Sequence, residues 1–441
     1  MNADEFLYGS LEFLARAHLD RQPWFQITSG GAAPHEITLV SEHQLTNEPV
    51  PLAHLVLTAR SRNYSCFVGW RTPEEVSEVL HGREGAIYGS ATRRDGGVLV
   101  YDALADDELA IALLRRATNG KVDAKRVRQL SSLASHASLV YDERFLMKCY
   151  RVLEEGTRPE IEVLRGLDAL GFNAILAPIA FWESDGNDLA LVREFLPSAL
   201  EGRLLALTSL RDLLARVSAT DPRATFSPDE ATQDPDAVAA SAGGDLASEM
   251  RRLGATAANL HLAMAKAFGT RSIMGEELLA SIESALGSRL DGVNGEVASA
   301  LIDAPAGCEI RIHGDFHLRR VMRADVGWIV SGFGDDPMNI DPMSFTSVLA
   351  QRGSPVEDLA DMCFSIEKYA NDALAQRPAS ERPLARLLAA AWVRRNQVAF
   401  LDGYASTPEI ESLVPVALLR PVVSELNRAR VADYEATLVS L

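Results

Sequence analysis

The apolar positions of the first hundred residues favour strands after a short helical start. Residues 6–17 show the spacing of an amphipathic helix. Three runs are rich in β-branched and aromatic residues and are bounded by glycine, proline or polar clusters: 54–60, 63–70 and 97–101. Acidic residues at the start of 106–117 and basic residues at its end favour a helix there. These patterns predict a separate β-rich domain over residues 1–105.

The next stretch, residues 106–200, has the order hairpin, helix, hairpin. The predicted elements are strands 138–141 and 145–150, a helix over 158–167, and strands 175–182 and 189–196. Pro159 suits the first turn of that helix. The tetrapeptide Ser184-Asp-Gly-Asn is typical of a tight turn between the second pair of strands. We expect a small antiparallel domain.

The remaining residues, 201–441, predict a mostly helical domain. A long alanine-rich helix is expected over 246–268, and the chain from residue 355 onward has helical character with breaks near 377 and 407. Residues 218–244 are rich in Ser, Thr, Asp, Pro, Ala and Gly and show little apolar periodicity. That composition predicts a mobile inserted loop.

Composition excludes several kinds of partner. The formal net charge of −18 repels phosphate backbones, so neither nucleic acid nor an anionic membrane is an expected partner. The four cysteines are scattered without a CxxC pair, which fits a reducing cytoplasm. Neither a secretion signal at the start nor an apolar run long enough to span a membrane is evident. A cytoplasmic location is therefore expected.

The segment with the clearest chemistry is 311–322, which reads RIHGDFHLRRVM. A kinase-type phosphoryl-transfer site needs an aspartate that accepts the proton of the substrate hydroxyl. It also needs an oxygen ligand for magnesium five residues later, and a second aspartate further on that bridges metal and phosphates. His313-Gly314-Asp315 supplies the first of these requirements.

This loop, His-Gly-Asp-Phe-His-Leu, resembles the catalytic loop of the aminoglycoside phosphotransferase-like kinases, most closely that of the maltokinases and glucosamine kinases. Further segments resemble the same family in the same order: 103–109, 194–199, 253–261 and 400–404. The resemblance covers roughly residues 100–405 and is weaker before that. It implies an α+β, bilobal protein-kinase-like fold with a β-rich N-terminal cap domain. It also implies binding of ATP or another nucleotide and of a sugar-like or aminosugar-like small molecule.

The resemblance also implies roles for individual residues. Asp315 would be the catalytic base, with His313 and His317 beside it as candidate acid–base groups. Lys148 would pair with the nucleotide phosphates. Its orienting glutamate would be Glu162, with Glu160 as a close competitor.

Two further sites follow from the same resemblance. Three residues would form the hinge that pairs with adenine: Arg193, Glu194 and Phe195. Asp358 would brace or cap a helix near the substrate cleft.

Two positions depart from the family pattern. The residue five positions after Asp315 is Arg320, and a guanidinium has no lone pair with which to ligate magnesium. The downstream triplet expected to begin with aspartate reads Gly332-Phe333-Gly334. Both departures argue against Mg²⁺ as a cofactor.

Three interpretations remain open. In the favoured one, the protein is a pseudokinase or a repurposed small-molecule-binding protein, and Arg320 fills the space of the cation and contacts a phosphate or carboxylate. In the second, Asp335 and Asp336 shift inward as metal ligands, and the protein remains an active ATP-dependent sugar or aminosugar kinase. The alternative for these two residues is a solvated turn. In the third, His313, Asp315 and His317 serve a metal-free transferase of secondary metabolism; the alternative is that the histidines only brace the loop.

Overall fold

The computed structural model describes most of the chain. The described residues are 10–22, 25, 36–48, 50–93, 96–131, 136–154, 156–217, 225–242, 246–274, 305–333, 352–406, 414 and 417. As far as they are described, they form two compact units. Unit 1 contains Met1–Arg165 and Leu176–Pro197, and unit 2 contains Gly166–Ile175, Ser198–Gly334 and Ala350–Leu441.

In unit 1, single helices separate runs of two to four strands, whereas unit 2 is mainly helical. The described helices are α1 (Ser10–Asp20), α2 (Pro73–Val79), α3 (Asp107–Ala117), α4 (Pro159–Ala169), α5 (Gly202–Ala215), α6 (Pro228–Gln233), α7 (Pro235–Ala242), α8 (Leu246–Phe268), α9 (Pro355–Ala375) and α10 (Arg382–Tyr404). The strands of unit 1 are β1 (Ile37–Thr46), β2 (Leu52–Ala59), β3 (Arg62–Arg71), β4 (Ile87–Arg93), β5 (Gly96–Asp102), β6 (Val127–Ser131), β7 (His136–Tyr141), β8 (Phe145–Tyr150), β9 (Val152–Leu153), β10 (Pro178–Ser184) and β11 (Asn187–Glu194). Those of unit 2 are β12 (Leu200–Glu201), β13 (Arg271–Met274), β14 (Pro305–Arg311), β15 (Val321–Ala324), β16 (Gly327–Val330) and β17 (Arg352–Gly353).

Unit 1 contains two antiparallel sheets. The first has the strand order β1-β2-β3-β5-β4, with β9 also paired to β3. The second has the order β10-β11-β8-β7-β6, so the two predicted hairpins are confirmed. Strands β2 and β3 are buried along almost their whole length, which explains why both predicted runs are so apolar.

One hydrophobic core is shared by the two sheets of unit 1. Leu109 and Leu113 of α3 belong to the same buried cluster as Phe67 of the first sheet and Met147 and Val192 of the second. The predicted division at residue 105 therefore runs through a continuous core. The domain expected over 1–105 and the small antiparallel domain expected after it lie in one compact unit.

Unit 2 is built on the long helices α8, α9 and α10, as expected for 246–268 and for the region after residue 355. Helices α8 and α10 approach closely at two glycines. A Cβ on Gly254 would lie 2.0 Å from the carbonyl oxygen of Phe400, and one on Gly403 would lie 1.9 Å from that of Arg251. Two small sheets, β12-β15-β16 and β13-β14-β17, flank the loop between β14 and β15.

The predicted mobile loop over 218–244 is wrong for residues 228–242, which form α6 and α7. Helix α6 begins with a capping box in which the Ser227 hydroxyl and the Glu230 carboxylate each accept a backbone N–H. Ala231 and Val238 are buried, and Arg394 of α10 donates to Asp236 at 2.8 Å. The few apolar side chains of this segment are enough to order it as helices, because they are buried against α10.

None of the helices in the described part of the chain is long and apolar enough to span a membrane.

Candidate functional site

Asp358, in the first turn of α9, holds the loop that follows β14. Its Oδ2 accepts the N–H of His313 at 2.8 Å and its Oδ1 accepts the N–H of Gly314 at 2.8 Å. Gly314 has φ +79°, a left-handed conformation that suits glycine. The Asp358 side chain is fully buried, so its charge is compensated by these donors. The sequence placed Asp358 near a helix start, and the structure adds that it fixes the Asp315 loop.

Helices α8 and α10 reach the same carboxylate through His261. The His261 Nε2 lies 3.0 Å from Asp358 Oδ2, and its Nδ1 lies 2.9 Å from the Tyr404 hydroxyl. Burial opposes ionisation of Asp358, yet the hydrogen bond from His261 and the backbone donors leave its pKa below the usual value. This buried chain links three helices to one loop, and it gives the segments 253–261 and 400–404 a common structural purpose.

Asp315 is held on both of its oxygens. Arg320 directs Nε at 2.9 Å and Nη2 at 2.6 Å onto Oδ2, and His317 Nε2 lies 3.2 Å from Oδ1. Asp315 is half-buried, whereas the side chain of Arg320 is 12% exposed. The side chain expected to act as the base is therefore already committed to a charge-assisted pair.

These contacts change the acidity of Asp315. Its partial burial favours the neutral acid, but the hydrogen bond from His317 and the positive charge of Arg320 outweigh that effect and hold the pKa of Asp315 well below its usual range. A carboxylate with so low a pKa is a weak acceptor for a hydroxyl proton, because general bases work best with a pKa near the working pH.

His313 is engaged through both ring nitrogens. Its Nε2 lies 3.1 Å from the carbonyl oxygen of Ser331 and therefore donates, while its Nδ1 accepts the N–H of Asp315 at 3.3 Å. Burial lowers the pKa of His313, so the neutral ring is favoured. These contacts suit the alternative interpretation, in which His313 braces the loop, and its expected acid–base role stays a prediction. His317 likewise accepts the N–H of Arg319 at 3.2 Å.

Gly332 faces the side chain of Arg320. A Cβ built on Gly332 would lie 2.8 Å from Arg320 Cδ and 2.9 Å from Arg320 Nη1, and the residue has φ +83°. The side chains of Asp315 and Arg320 and the backbone of Gly332 therefore meet in one small volume. Arg320 already fills the part that a side chain at 332 would need.

Magnesium does not fit the residues at this point, because Arg320 supplies no lone pair and Gly332 no carboxylate. Among the described residues, no group of three or more His, Cys, Asp or Glu side chains is arranged to hold a metal ion. Asp335 and Asp336 lie outside the described residues, so their expected role as shifted ligands stays a prediction.

The lysine predicted to meet the phosphates sits in a buried ion pair in unit 1. Lys148 Nζ lies 2.7 Å from Glu160 Oε2, and both side chains are less than a tenth exposed. Glu162, which the sequence favoured as the partner, is exposed. Residues two positions apart on a helix point in different directions, so only one of the two glutamates can face β8. The structure gives the buried position to Glu160.

Three residues that the sequence did not single out surround this pair. The Tyr150 hydroxyl lies 3.2 Å from Glu160 Oε2, and the Arg158 guanidinium lies 4.0 Å from the centre of the Tyr150 ring. Asp188 of β11 accepts the N–H of Arg158 at 2.7 Å. Tyr150 could have been found in the sequence, because it lies two residues after Lys148 on one face of a strand. Asp188 gave no such local signal.

The expected adenine hinge is partly occupied by the protein itself. The N–H of Glu194 donates to the carbonyl of Ala177 at 3.0 Å, and the N–H of Phe195 donates to that of Arg144 at 2.8 Å. Arg193 is paired in the sheet with Leu146 of β8. Adenine pairing through these two N–H groups is therefore not available in this conformation.

Comparisons with known proteins agree with this architecture. Residues 18–106 match the family model of the maltokinase N-terminal cap domain. A glucosamine kinase from Streptacidiphilus jiangxiensis is 30% identical over 232 residues, which are 50% of this chain and 46% of that relative. The match thus spans about half the length of that curated relative.

Solved structures extend the likeness over the chain. A glucosamine kinase in complex with glucosamine, ADP and inorganic phosphate superposes with a TM-score of 0.52 and 18% identity, covering 91% of each chain. A second glucosamine kinase structure, crystal form A, gives a TM-score of 0.50 and 20% identity over 88% of this chain and 85% of that one. At such identities the likeness shows the fold. The protein has an aminoglycoside phosphotransferase-like kinase fold of the maltokinase and glucosamine kinase type, with a maltokinase-type cap domain, and the predicted fold class is confirmed.

Proposed function

We propose that this aminosugar kinase-like protein is a pseudokinase or repurposed binding protein that holds a nucleotide and an aminosugar-like molecule with little metal-dependent phosphoryl transfer. The observation that carries the proposal is the Arg320–Asp315 pair beside Gly332. One arginine neutralises the base, removes the expected amide ligand and fills the volume of the second expected carboxylate. The fixed positive charge of Arg320 thus occupies the place where a divalent cation would be expected.

The energetic consequence is large. Metal ions stabilise the charge that develops on transferring phosphoryl oxygens by several kcal/mol, and each 1.4 kcal/mol or so corresponds to a tenfold change in rate. A single guanidinium that is also paired with Asp315 offsets only part of that loss. We therefore expect phosphoryl transfer to be slower by at least about a thousandfold than in a metal-dependent kinase, if several kcal/mol are missing.

Nucleotide binding is supported by the ion pair of Lys148 in unit 1. The buried Lys148–Glu160 pair resembles the arrangement that orients an ammonium group toward nucleotide phosphates. The glucosamine kinase of similar fold was solved with glucosamine, ADP and inorganic phosphate. An aminosugar-like molecule and a nucleoside diphosphate are accordingly the ligands to test first.

The first experiment separates binding from catalysis. Isothermal titration calorimetry of the purified protein with ADP is carried out once with Mg²⁺ and once with EDTA. The two affinities should agree within about threefold, because the Arg320 guanidinium takes the place of the metal ion. Lys148→Ala should abolish the binding. An exposed change, Lys125→Ala, is the matched control.

The second measurement is turnover of Mg-ATP with glucosamine, maltose and other aminosugars, compared with Asp315→Ala. Equal background rates in both proteins are expected. Rapid Mg²⁺-dependent turnover that is lost on replacing Asp335 and Asp336 by alanine would contradict the proposal and favour an active kinase with shifted ligands. Metal-free turnover that needs His317 would favour the transferase interpretation.

A further inference from the structure

The first turn of α4 brings Glu160 to Lys148, yet the residue before the helix cannot cap it. Helix α4 begins at Pro159, and the preceding residue is Arg158 rather than Ser, Thr, Asp or Asn. The backbone N–H of Arg158 itself is bound by an acceptor on another element. Asp188, near the start of β11, lies 2.7 Å from the N–H of Arg158 through its Oδ2 and is 2% exposed.

Arg158 fixes the same turn by its side chain. Its guanidinium donates to the carbonyl of Val152 in β9 and lies 3.3 Å from Glu154 Oε1. It also covers one face of the Tyr150 ring. The start of α4 is thus tied to β11 by its backbone and to β8 and β9 by its side chain, which leaves little freedom for Glu160 to move away.

Tyr150 acts on the glutamate itself. Its hydroxyl lies 3.2 Å from the same Glu160 oxygen that contacts Lys148, and the Lys148 ammonium lies 5.4 Å from the Tyr150 ring centre. All of these side chains are buried. A buried carboxylate that accepts from two donors has fewer orientations open to it than one that accepts from the lysine alone.

We infer that Asp188 and Tyr150 are positioning residues that keep Glu160 against Lys148 before any nucleotide arrives. Asp188 sets the position of the helix start, and Tyr150 sets the rotamer of the glutamate. The inference rests on the proposed function, because holding the Lys148 ammonium in place beforehand matters only if a phosphate group binds to it. A preorganised site loses less conformational freedom on binding, so both residues raise affinity without touching the ligand.

The state of the pair is tested without any ligand. Brief acetylation with acetic anhydride, followed by peptide mass spectrometry, compares Lys148 with the exposed Lys125 in the same molecule. Lys148 of the unaltered protein should react at least tenfold more slowly. Asp188→Ala and Tyr150→Phe should each raise its relative rate at least threefold. Asp188→Asn, which keeps an acceptor for the Arg158 N–H, and the exposed Asp185→Asn on the same hairpin should leave the rate unchanged.

Affinity gives the second measure. The dissociation constant for ADP should rise about tenfold in Asp188→Ala and Tyr150→Phe and stay within threefold of the original in Asp188→Asn. If Asp188→Ala does not fold, the results for Tyr150→Phe decide whether the positioning role is correct. A lowered melting temperature with unchanged Lys148 reactivity in the folded state would assign both residues a structural role only and overturn the inference. Failure of the unaltered protein to bind ADP would contradict the proposed function, while the acetylation rates would still decide the positioning role.

Discussion

At position 332, the neighbouring side chain of Arg320 occupies the space that a side chain would need. The structure places the missing Cβ of Gly332 within 3 Å of two atoms of Arg320, in a left-handed backbone conformation. The close contact and the left-handed conformation each disfavour a side chain at 332. Arg320 cannot easily move aside, because its guanidinium is held by Asp315. The two departures noted in the sequence are therefore physically one change.

A double-mutant cycle on Arg320 and Gly332 measures this coupling. Gly332→Ala should destabilise unit 2 by about 2–4 kcal/mol, from the cost of left-handed φ and of overpacking. In the Arg320→Ala background the same change should cost about 1–2 kcal/mol, because only the backbone term remains. Urea unfolding of the four proteins gives the coupling energy. Strict additivity would contradict the steric link.

At the residue scale, the sequence located candidate side chains where the signal was local. Asp315 lies in a contiguous motif and Lys148 in a short predicted strand, and their expected roles stay predictions. The sequence favoured Glu162 over Glu160 as the partner of Lys148, whereas the structure pairs Glu160 with it, because the helix face that meets β8 depends on where α4 begins. That start is fixed by Asp188, 30 positions away from Arg158.

Among the elements, the close approach of α8 and α10 is the contact that brings His261 and Tyr404 together. Gly254 and Gly403 remove the side chains that would separate the two helices. The gap that remains is filled by backbone carbonyls, which cannot rotate away as a side chain can. The segments 253–261 and 400–404 each contain one of these glycines.

Gly254→Ala distinguishes packing from helix propensity. In an isolated helix this change stabilises by about 1 kcal/mol. Here we expect a net destabilisation of roughly 2–3 kcal/mol, because the Cβ would lie 2.0 Å from the Phe400 carbonyl. The exposed neighbour supplies the control, since Ala255→Gly should cost only about 1 kcal/mol. Thermal and urea unfolding measure both, and a stabilised Gly254→Ala would refute the close contact.

Elements were predictable wherever periodicity was strong. The hairpins of the second sheet, α3 and α8 fall close to their expected bounds. Helices α6 and α7 were missed because they contain so few apolar residues. Their start could have been found, since Ser227-Pro-Asp-Glu230 is a capping-box sequence with proline in the first turn.

For the whole molecule, we expect buried titrating groups to outweigh the net charge of −18 in setting the pH dependence of stability. Surface repulsion is screened over about 8 Å at physiological salt, whereas buried groups are screened much less. Burial lowers the pKa of His18 and of His54 to about 4. Asp315 and Asp358 also have lowered pKa values, burial being outweighed by their donors.

All four groups act in the same direction. The two carboxylates contribute stability above the pKa of an unfolded Asp, near 4, and lose it as the pH falls through their lower folded values. The two histidines stay neutral when folded but gain a proton when unfolded, so stability falls between about pH 6.5 and 4. We expect the melting temperature in 0.15 M salt to decrease steadily from pH 7 to pH 5.

His54 provides the specific test of that expectation. Its Nε2 lies 2.8 Å from the Ser65 hydroxyl, a bond that an amide can replace. His54→Gln should flatten the decrease between pH 7 and pH 5, whereas the exposed His81→Gln should not. Identical slopes in all three proteins would show that His54 is not buried as a neutral ring.

The limits of domains were the least predictable feature at this scale. The strand-like runs before residue 105 and the helix after it predicted a boundary there, and the matched cap domain ends at residue 106. Yet Leu109 and Leu113 continue the core across it into the next sheet. A shared core arises from contacts between distant segments, and no pattern in a single window of sequence reports it.

The contact between Arg320 and Gly332 also limits what a single substitution can achieve here. A carboxylate introduced at 332 would meet the guanidinium before any metal could bind, and loss of the guanidinium alone would leave Asp315 without its main partner. On the proposed function, a cation site at this point would therefore require both positions to change together.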